Sequence, residues 1–386
     1  MILTTEQIKQ QIANGDISAI SIDTSIFDGH YRKLESGLLK RLQQFKDSNI
    51  KVVLSDVIVK ELSAHLIKDA EESQSTFKKA LKAVSVSWAI QDEKVNETIS
   101  SIFEENTAIT IAQNRLDKFI DDIGAVIVDA ENYVSIAEVL ERYFTHKPPF
   151  ANKESKKHEF PDALAVLSLE SWALQNNTKI LAVSKDGDWK SYCVNSDRII
   201  YIDDLATSLS FFQREAAEYN SQQLLIQYKA SDALGIETEV FSAVSNQSWK
   251  IEFTPEADSY FNFDVDLVEE KLVRLEFLNN PESPEFEAVD YGDDHLVIRM
   301  FFNAEFELYS TFTFEKWDGI DKEYMPMGSS TIQSQEEITL EVLVTFEGDL
   351  LRNPEILEIE VLPQRFNFNL GEIEPDWMSE GDNFEE

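Results

Sequence analysis

The sequence predicts an α/β fold built on a parallel sheet, followed by an antiparallel β-rich part. Three observations predict it. Up to about residue 203, short β-branched runs alternate with helical stretches, the order that builds parallel strands joined by crossover helices. Those runs are apolar from end to end, as strands buried on both faces are. Farther on, the pattern changes to alternation of apolar and polar residues, which marks half-buried antiparallel strands.

The elements follow in order. DISAISID (Asp16–Asp23) reads as the first strand, and LESGLLKRLQQFKD (Leu34–Asp47) has helical spacing. NIKVVLS (Asn49–Ser55) is a second strand, and Ser55 is placed to cap a long helix from Asp56 to Trp88. Two further helices fit within 91–122, so that 56–122 reads as a helical insertion. GAVIVDA (Gly124–Ala130) is a third strand, and NYVSIAEVLERYF (Asn132–Phe144) is helical. A polar loop, THKPPFANKESKKHEF, leads into a helix over Pro161–Gln175. TKILAVS (Thr178–Ser184), a turn in KDGDW and RIIYI (Arg198–Ile202) complete the first part. A connecting helix is expected over Asp204–Tyr219. SYFNFDVDLV, HLVIRMFFNAEFELYSTFTFE, EITLEVLVTFEG and EILEIEVL supply the alternating strands. The expected domains are 1–203, a connector over 204–234, an acidic β-sandwich-like domain over 235–365, and a disordered acidic tail over 366–386.

Composition narrows the function classes. The chain has 386 residues and a net charge of −38, which argues against binding nucleic acid over its whole surface. Most of that charge lies beyond residue 220, whereas the first part is close to balanced. The single cysteine, Cys193, excludes an internal disulfide framework and suits a reducing compartment. No run approaches the ~18–20 apolar residues of a membrane helix. The N-terminus lacks the pattern of a signal peptide. A cytoplasmic protein with no membrane partner is the expectation.

Acids recur where elements meet. Asp23 closes the first strand. Asp186 follows the TKILAVS strand, with Asp188 two residues on. Asp162 opens the helix before that strand, beside Pro161, and shares a face with Ala165, Val166 and Leu169. Glu61 lies in the second turn after Ser55. In one parallel sheet these acids converge at the carboxyl ends of the strands, where sites form. Unpaired carboxylates that close repel one another. A divalent cation removes the conflict, and oxygen-only ligation selects Mg²⁺ or Mn²⁺. Such a site suits phosphodiester hydrolysis, in which the metal polarises the phosphate, generates hydroxide and stabilises the leaving oxygen.

The ordered set SIDTS, SDVIVKELSAH, PPF–KKHEFPDA and AVSKDGDW resembles the PIN-domain nucleases over residues 18–203, in particular a subgroup with a PPF…K–EF–DA segment before its third acid. The resemblance implies a three-layer α/β/α sandwich and metal-site acids at Asp23, Glu61, Asp162 and Asp186, with Asp188 as an outer fifth. It also implies that the small hydroxyls Thr24, Ser25 and Ser184 hydrogen-bond the acids. The implied substrate is single-stranded or structured RNA such as tRNA, and a toxin or antiphage-defence effector is the implied setting. The helical insertion and the second part depart from the minimal family pattern.

Other residues carry two readings each. Glu159 either supports the site or pairs with Lys156 or Lys157. His65, one turn after Glu61, either packs or meets substrate. Lys147, Lys153, Lys156 and Lys157 are either a solvated loop or a phosphate grip, with Phe150 as a nearby aromatic. Trp189 and Tyr192 read as packing. The acidic second part is a plain soluble domain, a surface for a protein partner, or a nucleic-acid mimic that restrains the first part. Besides the endoribonuclease, two rivals stand: a catalytically silent PIN-fold binding module, and a DNA-directed nuclease.

Overall fold

A computed structural model describes residues 3–103, 107–150, 160–213, 215–232, 234–278, 286–292, 294–319 and 322–379. The chain forms two compact units, Met1–Phe212 and Gln213–Glu386.

The first unit opens with α1 (Thr5–Ala13), started by a reciprocal capping box between Thr4 and Gln7. Then come β1 (Ile17–Ile22), α2 (Thr24–Gly29), α3 (Gly37–Lys40), β2 (Lys51–Ser55), α4 (Asp56–Ser87), α5 (Asp92–Phe103), α6 (Ala108–Asp122), β3 (Val126–Val128), α7 (Ala130–Tyr133) and α8 (Ile136–Thr145). It ends with α9 (Phe160–Gln175), β4 (Lys179–Val183), α10 (Gly187–Cys193), β5 (Ile199–Ile202) and α11 (Leu205–Ser210). The five strands form one sheet in the order β3-β2-β1-β4-β5, every pair parallel. With helices on its flanks, this is the PIN-like α/β architecture.

The sequence explains most of these elements locally. Ser55 caps the 32-residue α4 by accepting from the Val57 N–H. Before β3, Gly124 turns with φ +60°; a Cβ there would come within 3.2 Å of the Lys46 side chain. Helix α9 is buried nearly all round, from Ala163 through Ala173, as a helix apolar on every side must be. Three readings are corrected. Leu34–Asp47 makes only the short α3 and a 3-10 turn over Arg41–Phe45. KDGDW is no simple turn: Asp186 caps α10, because its side chain satisfies the orphan N–H groups of a helix start. The connector over Asp204–Tyr219 divides into α11 and a separate helix that opens the second unit.

That unit contains α12 (Glu215–Ala230), α13 (Ile236–Gln247), β6 (Ile251–Asp258), β7 (Asn262–Phe277), β8 (Glu287–Tyr291), β9 (His295–Asp318), β10 (Glu323–Asp349), β11 (Asn353–Val361), β12 (Gln364–Glu372) and α14 (Asp376–Ser379). Strands β11-β10-β9-β7 form an antiparallel sheet, with β8 also on β9. Along β9 every second residue from Phe302 to Phe314 is buried, so period-two alternation sets one face inward. Against that face pack Leu224, Val240, Val244, Phe253 and Phe368. These come from α12, α13, β6 and β12, so helices and a two-stranded parallel pair form the layer where a sandwich has its second antiparallel sheet. The tail expected to be disordered from Phe366 onward begins inside β12, which pairs with β6, and Trp377 of α14 donates to the Met327 carbonyl (2.6 Å). Alternating FNFN places Phe366 and Phe368 in contact with this core, which the acidic composition of the segment obscures.

Candidate active site

The sheet changes direction of winding between β1 and β4: successive strands run outward to β2 and β3 on one side and to β5 on the other. Loops at the carboxyl ends of the two central strands part there and leave a crevice. Asp23 follows β1 and Ser184–Asp186 follow β4.

Asp23 is 4% exposed and is the N-cap of α2. Its carboxylate accepts from the Thr24 N–H (2.7 Å), the Ser25 N–H (3.3 Å), the Ser25 hydroxyl (2.5 Å) and the Ser184 hydroxyl (2.8 Å). Burial pushes its pKa above the usual carboxylate range even though these donors pull it down. The Ser184 hydroxyl also accepts from the Asp186 N–H (2.9 Å), and the Ser25 hydroxyl from the Lys185 N–H (3.0 Å). The ends of β1 and β4 are therefore stitched together by two serines. The Thr24 hydroxyl donates to Glu61 on α4 (2.8 Å), which ties the second turn of that helix to the same corner.

Asp186 accepts from the N–H groups of Asp188 (2.5 Å) and Trp189 (3.3 Å). Asp188 lies half-buried in the first turn of α10. Asp162 stands in the first turn of α9 and accepts from the indole N–H of Trp189 (3.2 Å). Its pKa is pushed up to about 7, first by burial and then by the negative charges of Asp23, Asp186 and Glu61, against the pull of Trp189. Each of those three acids therefore lies close enough for its field to act on Asp162.

Other candidates stand elsewhere. The His65 ring meets Asp28 (3.0 Å), in a cluster where Arg32 pairs with Asp28 and Asp69. Lys147 pairs with Glu141 (3.0 Å). Phe150 is no stacking platform: it is 1% exposed and packs on Tyr143 and Phe160. Aromatic neighbours on α8 and α9 gave it an apolar partner that the basic loop did not suggest. Lys153, Lys156, Lys157 and Glu159 lie outside the described residues.

Two residues gain roles that sequence reasoning missed. Trp189 is fully buried, as packing requires, yet its N–H is spent on Asp162; a buried indole N–H nearly always finds such a partner. Lys185 is exposed between Ser184 and Asp186, and its ammonium lies 3.6 Å from where a Cβ on Gly29 would stand. Its position inside the SKDGD run was the available signal.

Among the described residues, no three His, Cys, Asp or Glu side chains form a ready-made metal cage. The carboxylates are turned toward the hydroxyl, amide and indole donors just named. The donor set nonetheless fits a hard divalent cation. It offers carboxylate oxygens only, and Mg²⁺ keeps several waters while binding through one or two carboxylates.

Comparison with curated proteins and with solved structures gives no significant match. The family model described as PIN domain matches residues 20–189, a span that takes in Asp23, Glu61, Asp162, Asp186 and Asp188. With its parallel sheet, its flanking helices and acids at the switch point, the matched stretch 20–189 forms a PIN domain, a nuclease fold.

Proposed function

We propose that the protein is a divalent-metal-dependent endoribonuclease. The observation that carries this reading is the convergence of four acids from four separate elements. Asp23 comes from the end of β1, Glu61 from α4, Asp162 from the start of α9 and Asp186 from the end of β4. Asp23, Glu61, Asp162 and Asp186 are the residues that would hold Mg²⁺ or Mn²⁺, with Asp188 at the periphery. When bound, the cation supplies the positive charge this cluster lacks and polarises the phosphodiester under attack.

The chain's own residues prepare that chemistry. Ser25 and Ser184 hold the Asp23 carboxylate in one orientation, and Thr24 does the same for Glu61. Trp189 orients Asp162. Lys185 is exposed next to Asp186 in the chain, with its ammonium near Gly29 at the end of α2, and we assign it to a substrate phosphate as a point charge. No covalent intermediate is needed. Cys193 is buried and its thiol pushed up to about 12 by burial and by Glu170, so it does not serve as a nucleophile. RNA is the substrate class we assign, in the cytoplasm, and restraint of such an activity suits a toxin or antiviral-defence effector.

The test is cleavage of labelled single-stranded RNA, tRNA and single-stranded DNA with Mg²⁺ or Mn²⁺, with Asp162→Asn as control. RNA cleavage that needs metal and disappears in the variant is expected. Equal cleavage by variant and wild type, or none with any metal, would leave a silent binding module. Preference for DNA would replace the substrate class and keep the chemistry.

A further inference from the structure

The free edge of the sheet lies at the bottom of a groove. Strand β5 is the last in the order β3-β2-β1-β4-β5. A cavity of about 480 Å³ runs along it, from Lys179 and Asp197 at one end to Tyr201 and Asp203 at the other. One wall is apolar and comes from Leu3, from Ile8 of α1 and from Phe211, the residue after α11. The other comes from α10 and the residue after it, with Lys190, Cys193 and Val194.

The register decides what the groove floor offers. The N–H of Ile180 donates to the Arg198 carbonyl and that of Ser184 to the Ile202 carbonyl. Residues of β5 face their neighbours alternately in a ladder, so Ile199 and Tyr201 direct their main chains away from β4. The Ile199 N–H is taken by the Ser196 hydroxyl (2.9 Å). The Ile199 carbonyl and both main-chain groups of Tyr201 face the cavity. Edge strands usually carry a proline, a bulge or charge that blocks pairing; IIYI carries none. The opposite edge, β3, is three residues long with Val126 and Ile127 exposed.

We propose that this groove is a binding site for an extended peptide segment of a partner protein, which adds to β5 as a sixth strand. Main-chain groups of the edge supply the ladder, and alternate side chains of the peptide pack against the two walls. The preferred sequence is therefore a short run of Val, Ile or Leu, like this chain's own buried strands. A second copy of β5 does not fit, because an edge recessed between two walls cannot reach an equally recessed edge. The site is distinct from the acids yet joined to them through α10. That helix presents Lys190 and Cys193 to the groove, while Asp186 caps its start and Trp189 on it holds Asp162.

The test uses the full-length chain and three synthetic peptides carrying fluorescein: Ser-Val-Thr-Val-Ile-Ser, the same peptide N-methylated at alternate residues, and a scrambled peptide with a central proline. Binding is read by fluorescence anisotropy. Location is read by hydrogen–deuterium exchange at the Tyr201 main-chain N–H, which β4 does not use. The plain peptide is expected to bind and to slow that exchange severalfold. Methylation, or Tyr201→Pro in the protein, should weaken binding by about tenfold, the scale of one lost ladder hydrogen bond and its misfit. Tyr201→Pro removes an N–H that β4 does not use, which an edge strand tolerates. A second variant, Val194→Asp, charges one wall and should also weaken binding without touching the ladder. Equal binding of plain and methylated peptides overturns the proposal in favour of an unspecific apolar pocket. Absence of any binding or protection overturns it too. A dimer by light scattering that Tyr201→Pro dissolves would put a second copy in the groove and likewise overturn it. None of these readouts requires cleavage activity.

Discussion

Asp162 carries the largest electrostatic load in the site. Its carboxyl is buried, and three like charges act on it. With its pKa raised from 3.8 to about 7 in the folded protein, the ionised form is disfavoured by folding. The resulting penalty is absent at pH below the unfolded value, grows between about pH 4 and 7, and is complete above pH 7. In chelator, Asp162→Asn should therefore raise the melting temperature at pH 8 and leave it little changed at pH 4. Adding Mn²⁺ to wild type at pH 8 should do the same, and more strongly. A melting temperature indifferent to both pH and Mn²⁺ would contradict the charge cluster. On activity, the same variant should lose at least about a hundredfold, the scale of one lost electrostatic contact in a reacting centre. Trp189→Phe keeps the buried ring and removes the donor to Asp162. We expect roughly a tenfold fall in cleavage and a loss of about 1–3 kcal/mol of stability, since one hydrogen bond to a carboxylate and the packing of a buried indole are at stake. These two residues also differ in how far the sequence disclosed them. Asp162 could be read from an acid at the start of an apolar helix. The bond from Trp189 depends on α10 lying beside α9, which no local pattern states.

Among the elements, α10 separates cap from ligand. Asp186 satisfies two N–H groups at the start of that helix. Asp186→Asn retains an oxygen acceptor and loses the charge, so stability should hold while metal-dependent cleavage is lost. Asp186→Ala loses both, and should cost about 1 kcal/mol in addition, the usual value of an N-cap. Chemical denaturation of the pair, with cleavage assayed alongside, distinguishes the two roles. If Asp186→Asn cleaves as wild type does, Asp186 is a cap alone. Long helices and unbroken apolar runs were legible: α4, α9 and the apolar cores of β1, β2 and β4 fall where their patterns place them. Short or mixed ones were not. KDGDW has too few residues for a period to show, and β12 alternates Phe with Asn over a few residues just ahead of an acidic stretch.

The whole chain divides its charge unequally. Beyond residue 220 acids greatly outnumber bases, while the unit that holds the PIN domain is nearly balanced. A chain ending at Phe212 should bind RNA more tightly than the full chain at low salt, and the difference should shrink at high salt as the field is screened. Binding measured at 50 and 300 mM salt, for example, checks this; no difference at either would mean that the acidic unit acts only on other partners. Composition, hydrophobic period and the order of acids around strand ends were sufficient for an α/β first part, an antiparallel second part and the four-acid candidate set. Those are one-dimensional properties: each depends on neighbours within a few residues. Which donor holds which carboxylate, the burial of Phe150, the withdrawal of His65 to Asp28 and the groove along β5 depend on contacts between residues far apart in the chain. Trp189 and Asp162 are one such pair, Ser184 and Asp23 another, and folding alone brings them within hydrogen-bonding reach.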